Sequence, residues 1–395
     1  MLRIKNCKII SGNSVLEKYL YIKNGIIFAI TNEELPFDSE IDGEGLYASP
    51  GFIDIHSHGG GGYDFMDGGF KPIERAAKAH FVHGTTTIYP TGLTASNQCL
   101  KNFINDVKKV MSLDGIPHIP GLHLEGPYFS YEQRGAQNPR YLRNPDKKEY
   151  AELINMADGA IKRISYAPEL PGAEELTDYL SEKGIVAALG HTEAFYDDIL
   201  KVYNKGCHLA THLYSGMSGV KRVGGFRKLG AVESSLLLDD MYVEVIADGL
   251  HLPPELLKLI YKVKGSGKTI LVTDSMRGAG MAEGPSTLGP KEEGIECIIE
   301  NGIAWMTDRT GFAGSVATSD RLVRTMYKLV GIDIVNSIKM ITETPAKIMG
   351  LKNTGSLIEG FDADIVIFDD DINVKYIIKK EKKAWKSESV RIHKN

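Results

Sequence analysis

Cysteine is scarce in this chain. Four of its 395 residues (Cys7, Cys99, Cys207 and Cys297) are scattered without a CxxC pair, so neither a disulfide framework nor a thiolate zinc cluster is expected. A chain of this length buries a large core without such staples, and a reducing cytoplasm is the expected compartment. Long apolar runs are absent too. None approaches the roughly 18 residues of a membrane span, and none follows Met1-Leu2-Arg3-Ile4-Lys5 to serve as a signal peptide. Excess positive charge is also lacking: 46 Lys plus Arg stand against 51 Asp plus Glu, a net charge of -5. That balance excludes a general footprint for nucleic acid or an anionic membrane surface, so any cationic site must be local. With 43% hydrophobic and 25% charged residues and no internal repeat, disorder and fibrous architecture are excluded.

The pattern of the chain changes at Pro50. Before it lie short strand-like segments, Arg3 to Ile10, Tyr19 to Ile22 and Ile26 to Ile30, the last two joined by Asn24-Gly25, which supplies the positive φ of a tight hairpin. After it, apolar runs alternate with helical patterns, as βα units of a parallel sheet do. Strands are expected to start near Gly51, Thr85, Ile119, Ile161, Ile185, His208, Met241 and Thr269. Helices are expected over Pro72 to His83, Ala95 to Met111, Lys147 to Ala157, Ala173 to Lys183, Ala194 to Lys205 and Pro253 to Lys264. Eight such strands predict an α/β fold of the TIM type, a (β/α)8 barrel over residues 50–347. A Gly/Pro-rich stretch from Arg277 to Pro290 follows the eighth strand, then a strand-like segment ending at Trp305, then helices over Ser319 to Val330 and Ile334 to Thr342. Residues 1–49 and 348–395 are expected to join in one small discontinuous β-sandwich domain.

In such barrels the C-terminal ends of the strands carry function. Strand one ends Ile53-Asp54-Ile55-His56-Ser57-His58, and alternation places His56 and His58 on one face. Strand three ends His123-Leu124-Glu125, strand five Gly190-His191-Thr192, strand six Thr211-His212-Leu213 and strand eight Val272-Thr273-Asp274. Four histidines and two carboxylates at one mouth form an N/O ligand set suited to Zn(II) or Fe(II). Singly, each has an ordinary structural reading: a polar loop histidine, a hydrogen-bonded core histidine, a capping carboxylate. Five strand ends offering a ligand in barrel order make that reading improbable for the set. His123 shares a face with Glu125 and is a candidate support for it; His80, His83, His118, His208 and His393 lie in helices, connections or a strand start. Bound by Glu125, His191 and His212, a metal would leave its fourth position to water, and Asp274 would serve as the general base.

The order HxH, Glu, His, His, Asp resembles the amidohydrolase superfamily. Pro50-Gly51-Phe52-Ile53-Asp54-Ile55-His56-Ser57-His58-Gly59, His123-Leu124-Glu125-Gly126-Pro127, Tyr166-Ala167-Pro168-Glu169, Thr211-His212-Leu213-Tyr214, Ala247-Asp248-Gly249-Leu250-His251, Ala313-Gly314-Ser315 and Gly360-Phe361-Asp362-Ala363-Asp364 are similar to segments of its N-acetylglucosamine-6-phosphate deacetylases. The resemblance implies metal-dependent release of acetate from an N-acetylated amino-sugar phosphate by a cytoplasmic homodimer. It also implies one or two ions, the second held by His56 and His58 and bridged by Glu125. Its substrate residues map to Ala136, Gln137, Ser215, Gly216, His251, Phe312, Ala313 and Gly314. Two departures stand out. The usual histidine is Gln137 here, still a donor to a developing oxyanion. The usual Asn-Ala-Met is Ser215-Gly216-Met217, followed by Lys221, Arg222, Arg227 and Lys228, of which Arg222 and Arg227 are expected to clamp phosphate.

These departures leave the sugar open, another acetamido-hexose phosphate such as N-acetylgalactosamine 6-phosphate being the nearest alternative. A cyclic-amide hydrolase of the dihydroorotase or hydantoinase kind shares the barrel and HxH but usually carries a metal-bridging lysine at the end of strand four, where this chain has Ser165-Tyr166-Ala167-Pro168-Glu169. An inactive metal-binding protein would most simply lack Asp274 or a ligand, and neither is missing.

Overall fold

The computed structural model describes residues 1–380 and 382–387; His393 lies outside them. Eight parallel strands form the central sheet: β1 (Phe52–Ser57), β2 (Thr85–Gly92), β3 (Leu122–Glu125), β4 (Ile161–Tyr166), β5 (Val186–Leu189), β6 (Leu209–Ala210), β7 (Tyr242–Ile246) and β8 (Thr269–Val272). They are hydrogen-bonded in chain order from β1 to β8, and the sheet nearly closes into a barrel. Between β8 and β1 the gap is filled from below by Met340 and Ile341, whose carbonyls accept the N–H groups of Leu271 (3.0 Å) and Ile53 (2.8 Å). Above, Asp274 N–H reaches the His56 carbonyl at 2.9 Å. The barrel is filled, not hollow: Ile53, Ile55, Tyr89, Leu209, Tyr242, Ile246, Ile270 and Val272 form one buried cluster.

The connecting helices follow from their apolar spacing. Helix Asn97–Val110 buries Leu100, Phe103, Ile104, Val107 and Val110, a stripe at helical period, and starts where the Ser96 hydroxyl accepts Cys99 N–H. Helix Lys147–Ala157 starts at Asp146, which accepts from Lys148 and Glu149 N–H. No helix among the described residues is long and apolar enough to cross a membrane.

Two further sheets flank the barrel. One pairs Ile26–Thr31, Tyr19–Lys23, Leu2–Lys5 and Ser39–Asp42; the other runs Lys382–Lys386, Val374–Lys379, Ile365–Phe368, Tyr47–Pro50, Lys8–Ser11, Ser14–Glu17 and so combines strands from both ends of the chain. Ile4, Leu20 and Ile22 of the first share a buried cluster with Ile9, Ile365, Ile367 and Ile378 of the second.

The connections differ from the sequence reading in four places. Part of the Gly/Pro-rich stretch is a strand, Gly284–Leu288, paired antiparallel with Ile295–Glu300, itself paired with Ile303–Met306; Pro285 is tolerated because this strand is an edge. The basic loop is an antiparallel hairpin, Lys221–Val223 with Phe226–Lys228, turning at Gly224-Gly225. The helix expected over Ser319 to Val330 is α-helical only over Ser319–Arg324 and widens into a π turn over Thr325–Leu329, where Val330 N–H reaches Thr325 O. The helix expected from Ile334 ends at Lys339, and a separate one covers Glu343–Ile348.

Candidate functional site

Backbone irregularity aims the site. Between Ile88 and Pro90 of β2, strand β1 advances from Asp54 to Ser57, one residue more than its partner. Such a bulge reverses the in/out alternation. Ile53 and Ile55 therefore fill the barrel below, while His56 and His58, of opposite parity, face the mouth above. His191, His212 and Asp274 follow their strands with φ of 46°, 30° and 45°, a left-handed conformation uncommon for these residues and characteristic of functional sites.

Six side chains meet there, all buried. Glu125 Oε1 lies 2.8 Å from His212 Nε2, 3.2 Å from His191 Nε2 and 3.5 Å from His56 Nε2; its Oε2 lies 3.3 Å from His58 Nε2. Asp274 Oδ1 is 3.1 Å from His58 Nε2 and 3.3 Å from His56 Nε2. Three of the four outward nitrogens are held from behind: His191 Nδ1–H by Gln133 O (2.8 Å), His58 Nδ1 by Thr91 O (3.3 Å) and His56 Nδ1 by Glu244 Oε2 (3.4 Å). The Nε2 atoms of these three are thereby directed inward, whereas His212 Nδ1 has no hydrogen-bond partner among the described residues.

The donor set fits a divalent cation. His56 Nε2 and His58 Nε2 face each other at 3.3 Å, an arrangement that needs a proton or a cation between them. Three overlapping groups, His56 with His58 and Glu125, His56 with His212 and Asp274, and Glu125 with His191 and His212, each bring their ligand atoms within 4.8 Å. Without a cation, protons take its place. Burial pushes the His56 and His58 imidazoles down, but Asp274 and Glu125 outweigh it and raise them to about 9 and about 10. Burial pushes the two carboxyls up, and the imidazoles outweigh it, holding Glu125 well below the usual range and Asp274 at about 2.

Beneath lies a charged layer that the sequence reading did not single out. Arg163 of β4 pairs with Glu244 of β7, both fully buried, with Arg163 Nη2 2.9 Å from Glu244 Oε2. Glu244 Oε2 also accepts His212 N–H at 3.2 Å. The available signal was Glu244 as the one charge inside Tyr-Val-Glu-Val-Ile, with Lys162 and Arg163 inside Ile-Lys-Arg-Ile-Ser-Tyr as the matching cations. His123 donates to or accepts from Ser165 Oγ at 2.7 Å and sets its ring edge-on to His56.

A cavity of about 620 Å3 opens above the cluster. Of the sequence-expected substrate residues, Ala136, Gln137, Ser215, Gly216, His251, Phe312 and Gly314 line it. Ala313 is buried behind it, donating its N–H to Ala304 O at 2.8 Å. Arg222 and Arg227 are not brought to it: both are exposed on the hairpin, whose strands project the side chains into solvent. Two wall features carried no sequence signal. Arg134 is the one Lys or Arg lining the cavity among the described residues, and Leu288, Ile295 and Met306 come from the three-stranded sheet expected in part to be loop. Gly216 packs so closely that a Cβ would stand 2.7 Å from both Gln133 O and His191 Nδ1. His251 is oriented by Asp248 Oδ2 at 2.8 Å and lies edge-on to Phe312.

The chain is similar to known proteins along nearly its whole length. The chain is 30% identical to the N-acetylglucosamine-6-phosphate deacetylase of Lysinibacillus sphaericus over 95% of its own length and 96% of the relative's. It is 32% identical to that of Bacillus subtilis (strain 168) over 94% of each. Among solved structures, the N-acetylglucosamine-6-phosphate deacetylase from Pasteurella multocida superposes with a TM-score of 0.89 at 29% identity, covering 97% of this chain and 99% of that one. The amidohydrolase family model matches residues 47–391, and the chain belongs to the amidohydrolase family.

Proposed function

We propose that this chain is a metal-dependent deacetylase that converts N-acetylglucosamine 6-phosphate to glucosamine 6-phosphate and acetate. One observation carries the reading: four histidines and two carboxylates converge under a 620 Å3 cavity in a chain similar, almost end to end, to deacetylases of that substrate. Glu125, His191 and His212 would hold one divalent cation, Zn(II) or Fe(II), and where two ions bind His56 and His58 would hold the second beside Glu125. A cation in such a site acidifies water and polarises an amide carbonyl. Asp274, ionised at neutral pH, takes the proton from the attacking water and returns it to the departing amine nitrogen. Ala136, Ser215, Gly216, His251, Phe312 and Gly314 seat the sugar.

The phosphate needs cations. Arg134 stands in the wall of the same chain's cavity, whereas Arg222 and Arg227 would act on the cavity of a second copy, in a homodimer. Supporting that dimer, the same hairpin exposes Phe226 at 79% and Val223 at 43%, an apolar surface suited to being covered. A reducing cytoplasm is supported by four cysteines that all remain free. Gln137 and Ser215 keep a related acetamido-hexose phosphate as a second substrate to test. Cyclic-amide hydrolysis is less well supported, since β4 ends in Ser165-Tyr166, with no lysine where a bridging one would be wanted. The experiment is amine release from a panel of N-acetylated sugar phosphates, run beside hydantoin and dihydroorotate. Turnover of a cyclic amide without turnover of any acetamido sugar would reverse the assignment.

A further inference from the structure

We propose that Gln137 is a positioning residue for Glu125: it locks the carboxylate so that Oε2 faces His58 and Oε1 faces His191 and His212 before any ion arrives. The inference rests on the metal-dependent reading above. A Glu side chain does not fix this pose by itself, because its terminal sp3–sp2 torsion is broad and the carboxylate turns easily. Gln137 supplies the missing constraint. It is 4% exposed, and its own amide is oriented unambiguously: Oε1 accepts Thr94 N–H at 2.9 Å, which leaves Nε2 to donate to Glu125 Oε2 at 2.7 Å. The backbone is held as well, Gln137 N–H closing a turn on Arg134 O at 2.9 Å. With Oε2 held toward His58, Oε1 is left facing His191 and His212.

This assignment differs from the oxyanion role suggested by sequence. The amide oxygen and one N–H of Gln137 are already committed, and the committed N–H points at a ligand carboxylate. Outer partners of this kind typically contribute a factor of about 10 to 100 in metal affinity when removed. The two roles separate experimentally. The metal-free protein, Gln137→Met and Gln137→Ala are titrated with Zn(II) against a chromophoric chelator, giving affinity and stoichiometry without any substrate. Melting of each metal-free variant checks that it is folded, and kcat is then measured at saturating Zn(II). The expected result is a ten- to hundredfold loss of Zn(II) affinity in both variants, or loss of the weaker-bound ion, with kcat largely restored once metal saturates. Unchanged affinity and stoichiometry overturn the proposal, whether kcat falls, which would assign Gln137 to the substrate, or not. If the wild-type protein binds no Zn(II) or Fe(II), the functional reading fails and this inference with it; if it binds metal but deacetylates no sugar phosphate, the titration still decides the role of Gln137.

Discussion

Asp274 donates its backbone N–H to the carbonyl of His56 at 2.9 Å, while its carboxylate Oδ1 lies 3.3 Å from the Nε2 of the same histidine. Main chain and side chain are thus both tied to β1 where the barrel closes, and the main-chain tie does not depend on the carboxylate's charge. Asp274→Asn should keep the fold and the bound metal yet lower kcat by at least about a hundredfold, the low end of general acid–base contributions. Metal analysis and steady-state kinetics on one preparation check this. A kcat near wild type would give the proton transfer to another group.

Glu125 is the residue both histidine pairs share. Glu125→Ala or His191→Ala should therefore lose bound metal and activity together. The barrel should survive, because these side chains sit on the functional rim. Far-UV circular dichroism with metal analysis checks the pair of outcomes. A Glu125→Ala protein that is metal-free and fully active contradicts the assignment.

Much of this was legible in the sequence, for physical reasons. Strand ends were readable because a buried parallel strand is an uninterrupted apolar run and the polar residue that stops it stands at the mouth. His56, His58, Glu125, His191, His212 and Asp274 all announced themselves in that way. What depends on backbone geometry was not readable. The bulge in β1 and the left-handed residues after β5, β6 and β8 leave no mark on composition. Arg222 and Arg227 were expected at the cavity because a run of cations suggests an anion site, but sequence does not say which way a hairpin projects. Arg134, one cation among ordinary loop residues, had nothing to distinguish it.

The Arg163–Glu244 pair supports the site from below, with Glu244 also holding His56 and the His212 backbone. Removing one partner leaves a charge buried and uncompensated. Arg163→Met should destabilise the protein by roughly 3–5 kcal/mol, while Arg163→Met with Glu244→Leu should regain much of that loss in stability and still bind metal poorly. Chemical denaturation of the three proteins checks this. Equal stability of the single and double variants would mean that Glu244 is neutralised by other means.

His80 predicts an acid sensitivity of known sign. Its Nε2 bonds the Gly59 carbonyl at 2.8 Å in a fully buried position, and burial lowers its pKa to about 4. Between pH 6.5 and 4 the unfolded chain carries a proton here that the folded chain does not. Stability therefore rises with pH through this window and is lost on acidification, by roughly 3 kcal/mol across it. His80→Asn should flatten that part of the stability–pH curve. If wild type and variant fall in parallel, other groups carry the acid response.

The final prediction concerns the phosphate and separates one chain from two. Arg222 and Arg227 face each other across the hairpin as cross-strand partners, outside their own cavity, whereas Arg134 lines it. Charge-assisted bonds contribute roughly 1.5–3 kcal/mol each. If the hairpin serves a second copy, Arg222→Ala with Arg227→Ala should raise KM for the phosphorylated substrate by about a hundredfold or more, with far less effect on the unphosphorylated analogue. The wild-type preference should then also weaken as dilution dissociates the dimer, which analytical ultracentrifugation follows at the assay concentrations. If Arg134→Ala alone abolishes the preference and the hairpin variant keeps it at every concentration, the phosphate is held within one chain. Equal loss on both substrates in the hairpin variant would make these arginines structural, because only the phosphorylated sugar offers oxygens to a guanidinium fork.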